Sequence, residues 1–140
     1  MSIERSAYDG ILEVEVENPK ALMTFITDFV HSEPFKVRFI MRIIPVDKVV
    51  DTDLKQVTSA VKDLSTSIEP AETFRITIEA RDSPYSDKEL IGAIADSVDR
   101  KVSLDAPDKI VLLQVFGEYS AVSVVSPQQI ISIQKLKRAT

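Results

Sequence analysis

The chain has 140 residues, enough for one compact domain or for a full domain preceded by a smaller subdomain. Hydrophobic residues make up 44% and charged residues 28%, ordinary globular proportions that exclude a disordered chain. With no Cys and one His, His31, the sequence excludes disulfides, thiol nucleophiles, Cys-based zinc sites and multi-histidine metal sites. No apolar run approaches the ~20 residues that span a bilayer, and residues 1–10 carry no basic-then-apolar signal pattern. The expectation is a soluble, cytoplasmic protein.

The net charge of −5 argues against a protein that coats nucleic acid by bulk charge. Its distribution is uneven. Residues 1–35 hold two basic and seven acidic side chains, and residues 63–108 hold five and eleven. Residues 36–62 hold six basic and three acidic, and residues 109–140 hold four and one. A fold that joined the two positive segments would build a basic face on an acidic protein.

Ile11 to Glu17 alternates, with Leu12, Val14 and Val16 on one face and Glu13, Glu15 and Glu17 on the other, which predicts a half-buried strand. Asn18 and Pro19 supply a cap and a first helical residue. Leu22, Phe25, Ile26, Phe29 and Val30 then predict an amphipathic helix ending near His31, before Pro34. Lys36 to Ile44 reads as a second strand, with Lys36, Arg38 and Arg42 on its polar face and Lys48 in the loop beyond. A helix follows over 52–68, capped by Thr52 or Asp51, with Leu54, Val57, Val61, Leu64 and Ile68 as its buried stripe.

Thr73 to Arg81 reads as a third strand, its polar face carrying Arg75, Thr77, Glu79 and Arg81. Ser86 and Glu89 form a capping box for a helix over 86–100. Ile110 to Phe116 is apolar on both faces, the pattern of a central strand covered on both sides. Gly117-Glu118 turns the chain, and Tyr119 to Val125 returns antiparallel. Ile130, Ile131, Ile133 and Leu136 in the tail fit a short helix or a strand equally. The order is β-α-β, then α-β-α-β-β: an α/β (α+β) fold with a parallel pair from the 73–116 crossover and an antiparallel hairpin, hence a mixed sheet.

These residues resemble a family. Arg38-Phe-Ile-Met-Arg-Ile-Ile-Pro-Val46, Thr73-Phe-Arg-Ile-Thr-Ile-Glu-Ala-Arg81, Ser86-Asp-Lys-Glu-Leu-Ile-Gly-Ala-Ile-Ala95, Asp105-Ala-Pro-Asp-Lys-Ile-Val111 and Val115-Phe-Gly-Glu-Tyr-Ser-Ala-Val-Ser-Val124 are similar to THUMP-domain segments. The likeness is to archaeal and eukaryotic THUMP proteins that assist tRNA cytidine acetylation, and it covers about residues 36–134. It implies a THUMP-like mixed sheet at 51–140, preceded at 1–50 by a partial ferredoxin-like β-α-β unit. It also implies a non-catalytic module that grips the acceptor stem and CCA end of tRNA. The chemistry would then belong to a partner enzyme such as an acetyltransferase, since no catalytic domain follows Thr140.

A-form RNA offers phosphates, shape and unpaired ends, and arginine and lysine read phosphates. Arg75 and Arg81 are candidates on one strand face, Arg81 opening onto a helix N-terminus; the plainer alternative is pairing with Glu79. Tyr85 can stack on a base or pack its own loop. Ser86 is first a cap. Lys88 sits in a first helical turn, where positive charge opposes the helix dipole. Arg42, Lys48 and the tail residues Lys135, Lys137 and Arg138 extend the basic candidates, while Arg38 is expected to pair with the glutamate row. The Glu13, Glu15 and Glu17 row reads as a solvated face, not a metal cage. There is no nucleophile–base pair, no GxGxxG and no GKS/T, so neither an enzyme nor a cofactor is expected. The alternative reading is a ferredoxin-like regulatory or protein-interaction module without RNA binding.

Overall fold

The computed structural model describes residues 2–6, 8, 10–36 and 42–133. In chain order the elements are β1 (Ser2–Arg5), β2 (Leu12–Glu15), α1 (Pro19–Ser32), a 3-10 turn (Pro34–Lys36), β3 (Arg42–Ile43), β4 (Lys48–Asp51), α2 (Leu54–Ser65), β5 (Thr73–Arg81), α3 (Asp87–Ala95), β6 (Lys101–Val102), β7 (Lys109–Phe116), β8 (Tyr119–Val125), a second 3-10 turn (Pro127–Gln129) and β9 (Ile131–Ser132). They group into two units, Met1–Pro45 with Gln129–Thr140, and Val46–Gln128.

The Val46–Gln128 unit is a five-stranded mixed sheet in the order β4-β8-β7-β5-β6. β7 is central, as its two-sided apolar sequence predicts, and runs parallel to β5 and antiparallel to β8, as the 73–116 crossover and the Gly117-Glu118 turn predict. The register sets Ile76, Ile78 and Ala80 of β5 beside Val111, Leu113 and Val115 of β7, with Phe74 at the start of the same row and Val124 and Val122 of β8 on the same face. Val57, Ala60 and Val61 of α2 and Leu90, Ile94 and Val98 in and after α3 close this core. Each fully buried aliphatic side chain here contributes about 1.5–3 kcal/mol.

The caps explain where the helices start. Ser86 Oγ accepts the Glu89 amide at 3.1 Å while Glu89 accepts the Ser86 amide at 3.3 Å, completing the capping box of α3. For α2 the expected cap at Thr52 or Asp51 is corrected to Asp53, whose carboxylate accepts the Gln56 amide at 3.2 Å. Both expected residues have other work: Asp51 is paired with Tyr119 in the sheet, and the Thr52 hydroxyl bonds Ser120 Oγ at 2.7 Å. Lys48, expected in a loop, opens β4, which pairs antiparallel with β8. This strand is only four residues long and follows Pro45 closely, so no periodicity announces it. Gly117 has φ 63 and Glu118 is not among the positive-φ residues, the type II′ pattern that suits a two-residue hairpin.

Ser123 faces away from this core, opposite Leu112, and is fully buried. Among the described residues its hydroxyl has no hydrogen-bond partner. A buried, unsatisfied hydroxyl costs about 1–3 kcal/mol. Ser123→Ala is therefore expected to raise the urea midpoint, by a stability gain of about 1 kcal/mol; a lower midpoint would contradict the assignment.

One ion pair joins the start of β7 to the turn before β5. Lys109 Nζ lies 2.6 Å from Glu72 Oε2, both side chains about one quarter exposed. The hydrogen bond from Lys109, and next the Glu69 amide, hold the Glu72 carboxyl below its ordinary value of 4.5. A lowered folded-state value stabilises the fold above the carboxylate range and is lost as the pH falls. The stability difference between the native chain and Glu72→Gln should thus be full well above pH 4.5 and shrink below it. A pH-independent difference in thermal unfolding would refute this.

In the other unit, β1 pairs antiparallel with β2, from Ser2 opposite Glu15 to Arg5 opposite Leu12. The expected half-buried face of β2 is corrected: Leu12 is 62% and Val14 48% exposed. Alternation marks two faces but does not say that anything packs on either. α1 begins as expected, with Asn18 Oδ1 accepting the Ala21 amide at 3.1 Å. Its buried face is rotated from the expected one, toward Met23, Ile26 and Val30, while Phe25 is 65% exposed and stacks on Phe29. Ile131 and Ile133 join that cluster. Of the tail, open between helix and strand in sequence, Ile131–Ser132 form β9, antiparallel to β3 with Arg42 opposite Ser132 and Ile43 opposite Ile131, and residues 134–140 lie outside the described residues. Most of the expected 36–44 strand, including Arg38, lies outside the described residues.

Candidate nucleic-acid interface

β5 carries Arg75, Thr77, Glu79 and Arg81 on one face, and parallel pairing fixes their neighbours. Arg81 stands beside Phe116. Its guanidinium carbon lies 5.5 Å from the ring centroid, and Phe116 stacks on Tyr119 at 5.4 Å and 25°. Such a cation–π contact is worth about 0.5–2 kcal/mol and holds the guanidinium over the ring. The Arg81 carbonyl accepts the Gly117 amide at 2.8 Å, which fastens the end of β5 to the β7–β8 turn.

Arg75 does a different task. Its Nη1 donates to the Leu104 carbonyl at 3.3 Å, tying the strand to the loop before β7. Six residue steps along the strand separate the two arginines by about 20 Å. They are two separate cations, not one clamp.

The edge where β5 ends is also where α2 and α3 begin, because Thr52 donates its amide to the Glu118 carbonyl at 2.8 Å and Gly117 binds Arg81. Lys88 is exposed there, in the first turn of α3. Lys55, which sequence reasoning passes over, holds the matching position in α2. The Ser86 hydroxyl is committed to its cap. Tyr85 packs its ring against the core, and its amide donates to Ser83 Oγ at 3.1 Å, the loop-packing alternative. The same edge holds Asp51, Asp53, Asp82, Asp87, Glu89 and Glu118. Asp82 has φ 53, a left-handed conformation that Asp tolerates better than most residues.

Lys48 is paired with Asp63 at 2.9 Å. Arg42 is exposed on β3. Lys135, Lys137 and Arg138 lie outside the described residues. The antiparallel β3–β9 ladder pairs Arg42 with Ser132 and Ile43 with Ile131, which brings residues of the two positive segments side by side. Residues 46–128, by contrast, hold nine basic and fifteen acidic side chains. Among the described residues no group of three or more His, Asp or Glu could hold a metal ion, and no helix is long and apolar enough to cross a membrane.

Three comparisons place this arrangement. Among solved structures, the crystal structure of PH1313 from Pyrococcus horikoshii Ot3 is similar, with a TM-score of 0.69 at 14% identity, covering 90% of this chain and 43% of that one. At that identity the likeness is one of fold. TrmN from Thermus thermophilus gives a TM-score of 0.47 at 17% identity, over 66% of this chain and 31% of that one. The chain spans less than half the length of either protein. No curated protein matches the sequence. The model of the THUMP domain family matches residues 51–125, from the end of β4 through α2, β5, α3 and the β7–β8 hairpin. That match covers more than half of the sequence, and the chain belongs to the THUMP domain family, whose members are generally RNA-binding modules.

Proposed function

We propose that this chain is a non-catalytic tRNA-binding module that presents the acceptor stem and CCA end to a separate modifying enzyme, such as a tRNA cytidine acetyltransferase. Its membership of the THUMP domain family over residues 51–125 carries the reading. The charge pattern supports it in a particular form. The 46–128 unit is acidic, so bulk attraction cannot deliver RNA; binding relies on placed cations. Arg81, ordered on Phe116, is one such cation. Arg42, exposed on β3, and the tail residues Lys135, Lys137 and Arg138 are the others.

The test is binding of full-length tRNA, and of tRNA lacking its CCA end, to the whole chain across a salt series. The proposal expects binding that weakens steeply with salt and weakens again when the CCA end is removed. Weak, salt-insensitive binding that ignores the CCA end would leave the protein-interaction alternative, which the acidic character of the 46–128 unit favours. The acetyltransferase partner is tested separately, by co-purification with the tagged chain.

A further inference from the structure

Register and turn geometry set three side chains in one row across the sheet. Arg81 of β5 pairs with Phe116 of β7, and Phe116 pairs with Tyr119 of β8. Opposed residues in neighbouring strands point to the same face, so the three side chains stand side by side. The spacings follow that placement: 5.5 Å from the guanidinium carbon to the Phe116 centroid, and 5.4 Å from there to the Tyr119 centroid. Gly117, at φ 63, makes the tight turn that puts Tyr119 directly opposite Phe116. Its amide also bonds the Arg81 carbonyl at 2.8 Å, so this turn fastens all three strands at one end.

A core role does not account for this row. It lies on the face opposite the one that α2 and α3 cover, because Val115, not Phe116, points into that core. Among the described residues Phe116 is only 8% exposed and yet sits outside both core clusters. Nor does Arg81 strap the backbone. Arg75 donates to the Leu104 carbonyl, and Arg100 donates to the Ile68 and Glu69 carbonyls. Among the described residues no carbonyl or carboxylate accepts from the Arg81 guanidinium, although Arg81 is half-buried. An aliphatic side chain would cover Phe116 without desolvating a charge, so the charge here gains its use from an anion that arrives.

We infer that Phe116 and Tyr119 are positioning residues for Arg81: the ring pair holds the guanidinium at the end of β5 for an RNA phosphate, and neither ring touches the RNA. A free arginine side chain loses rotamer freedom when it grips a phosphate, whereas one already held over a ring loses less. The inference rests on the RNA-binding reading above and adds to it the two aromatic residues that make Arg81 effective.

The test measures tRNA affinity of the full chain at low salt, with the unfolding midpoint of each variant as a check on folding. Arg81→Ala should weaken binding about tenfold, and Phe116→Leu about fivefold. Phe116→Tyr keeps a ring beside the guanidinium and should stay within about twofold of the native chain. The double variant decides. If the ring acts through Arg81, Phe116→Leu adds nothing in the Arg81→Ala background; a purely structural role would add its loss in full. The Arg81 Nε–Hε resonance gives a second readout, since the order of that group should fall in Phe116→Leu with no RNA present. Additive losses, or native affinity in a folded Phe116→Leu, would overturn the positioning role. If Phe116→Leu does not fold, Tyr119→Leu replaces it, with a loss expected in the native background and none beside Arg81→Ala. Should the native chain bind tRNA and Arg81→Ala bind it equally well, the positioning role fails while the RNA-binding reading stands. A native chain that binds no tRNA overturns both.

Discussion

Phe74→Ala is expected to remove about 3–5 kcal/mol of stability, the largest loss from any single truncation in this fold. Phe74 is 1% exposed, and it is the largest fully buried side chain among the described residues. It begins the apolar row of β5 that faces Val111 and Leu113 across the parallel ladder, beneath α2 and α3. Removing the ring leaves a cavity that a sheet tied on both sides cannot close. Small domains are stable by only about 5–15 kcal/mol, so the variant should unfold at far lower denaturant. A loss under about 1 kcal/mol in urea unfolding would show that the core is looser than its packing implies.

Some of this fold is legible in sequence because the signals are local and repeated. Thr73 to Arg81 alternates over nine residues, and the Ser86/Glu89 box names a helix start through two reciprocal hydrogen bonds. The apolar run at 110–116 and the Gly117 turn mark the central hairpin for the same reason. β1, β4, β6 and β9 give no such signal. Each is two to four residues long and exists only because a partner strand offers its edge, which no periodicity encodes. In α1 nearly every third position is apolar around much of the helix, so the buried face cannot be chosen without its packing partners. The site divides in the same way. The arginines are visible as residue types, but the stacking of Arg81 on Phe116 depends on inter-strand register. Lys55 gives no sign in sequence, since a surface lysine in a helix needs no explanation.

Replacing Arg42, Lys135, Lys137 and Arg138 together with alanine is expected to give the largest loss of tRNA affinity, on the order of a hundredfold at low salt. These residues come from the two positive segments, and the β3–β9 pairing of Arg42 with Ser132 brings residues of those segments side by side. Each phosphate deprived of its cation should lower the magnitude of the log–log salt slope by about 0.7 to 0.9. The readout is affinity measured between low and physiological salt. If affinity falls but the slope stays unchanged, these residues act through folding and not through phosphate. If neither changes, RNA is held by the acidic 46–128 unit alone.

The β3–β9 ladder has another consequence, for the order in which the chain assembles. It joins positions about ninety residues apart, and closing an unfolded loop of that length costs about 4 kcal/mol of chain entropy. Two residue pairs, with backbone hydrogen bonds worth about 1 kcal/mol each, offset little of that. The intervening Val46–Gln128 unit must fold first and turn the long loop into a short tether. The ladder is then the last piece to close and the first to open, which hydrogen exchange would register as faster exchange at Ile43 and Ile131 than at Leu113. The β3–β9 pairing would thus be the most easily released part of the described chain, while the five-stranded sheet stays folded.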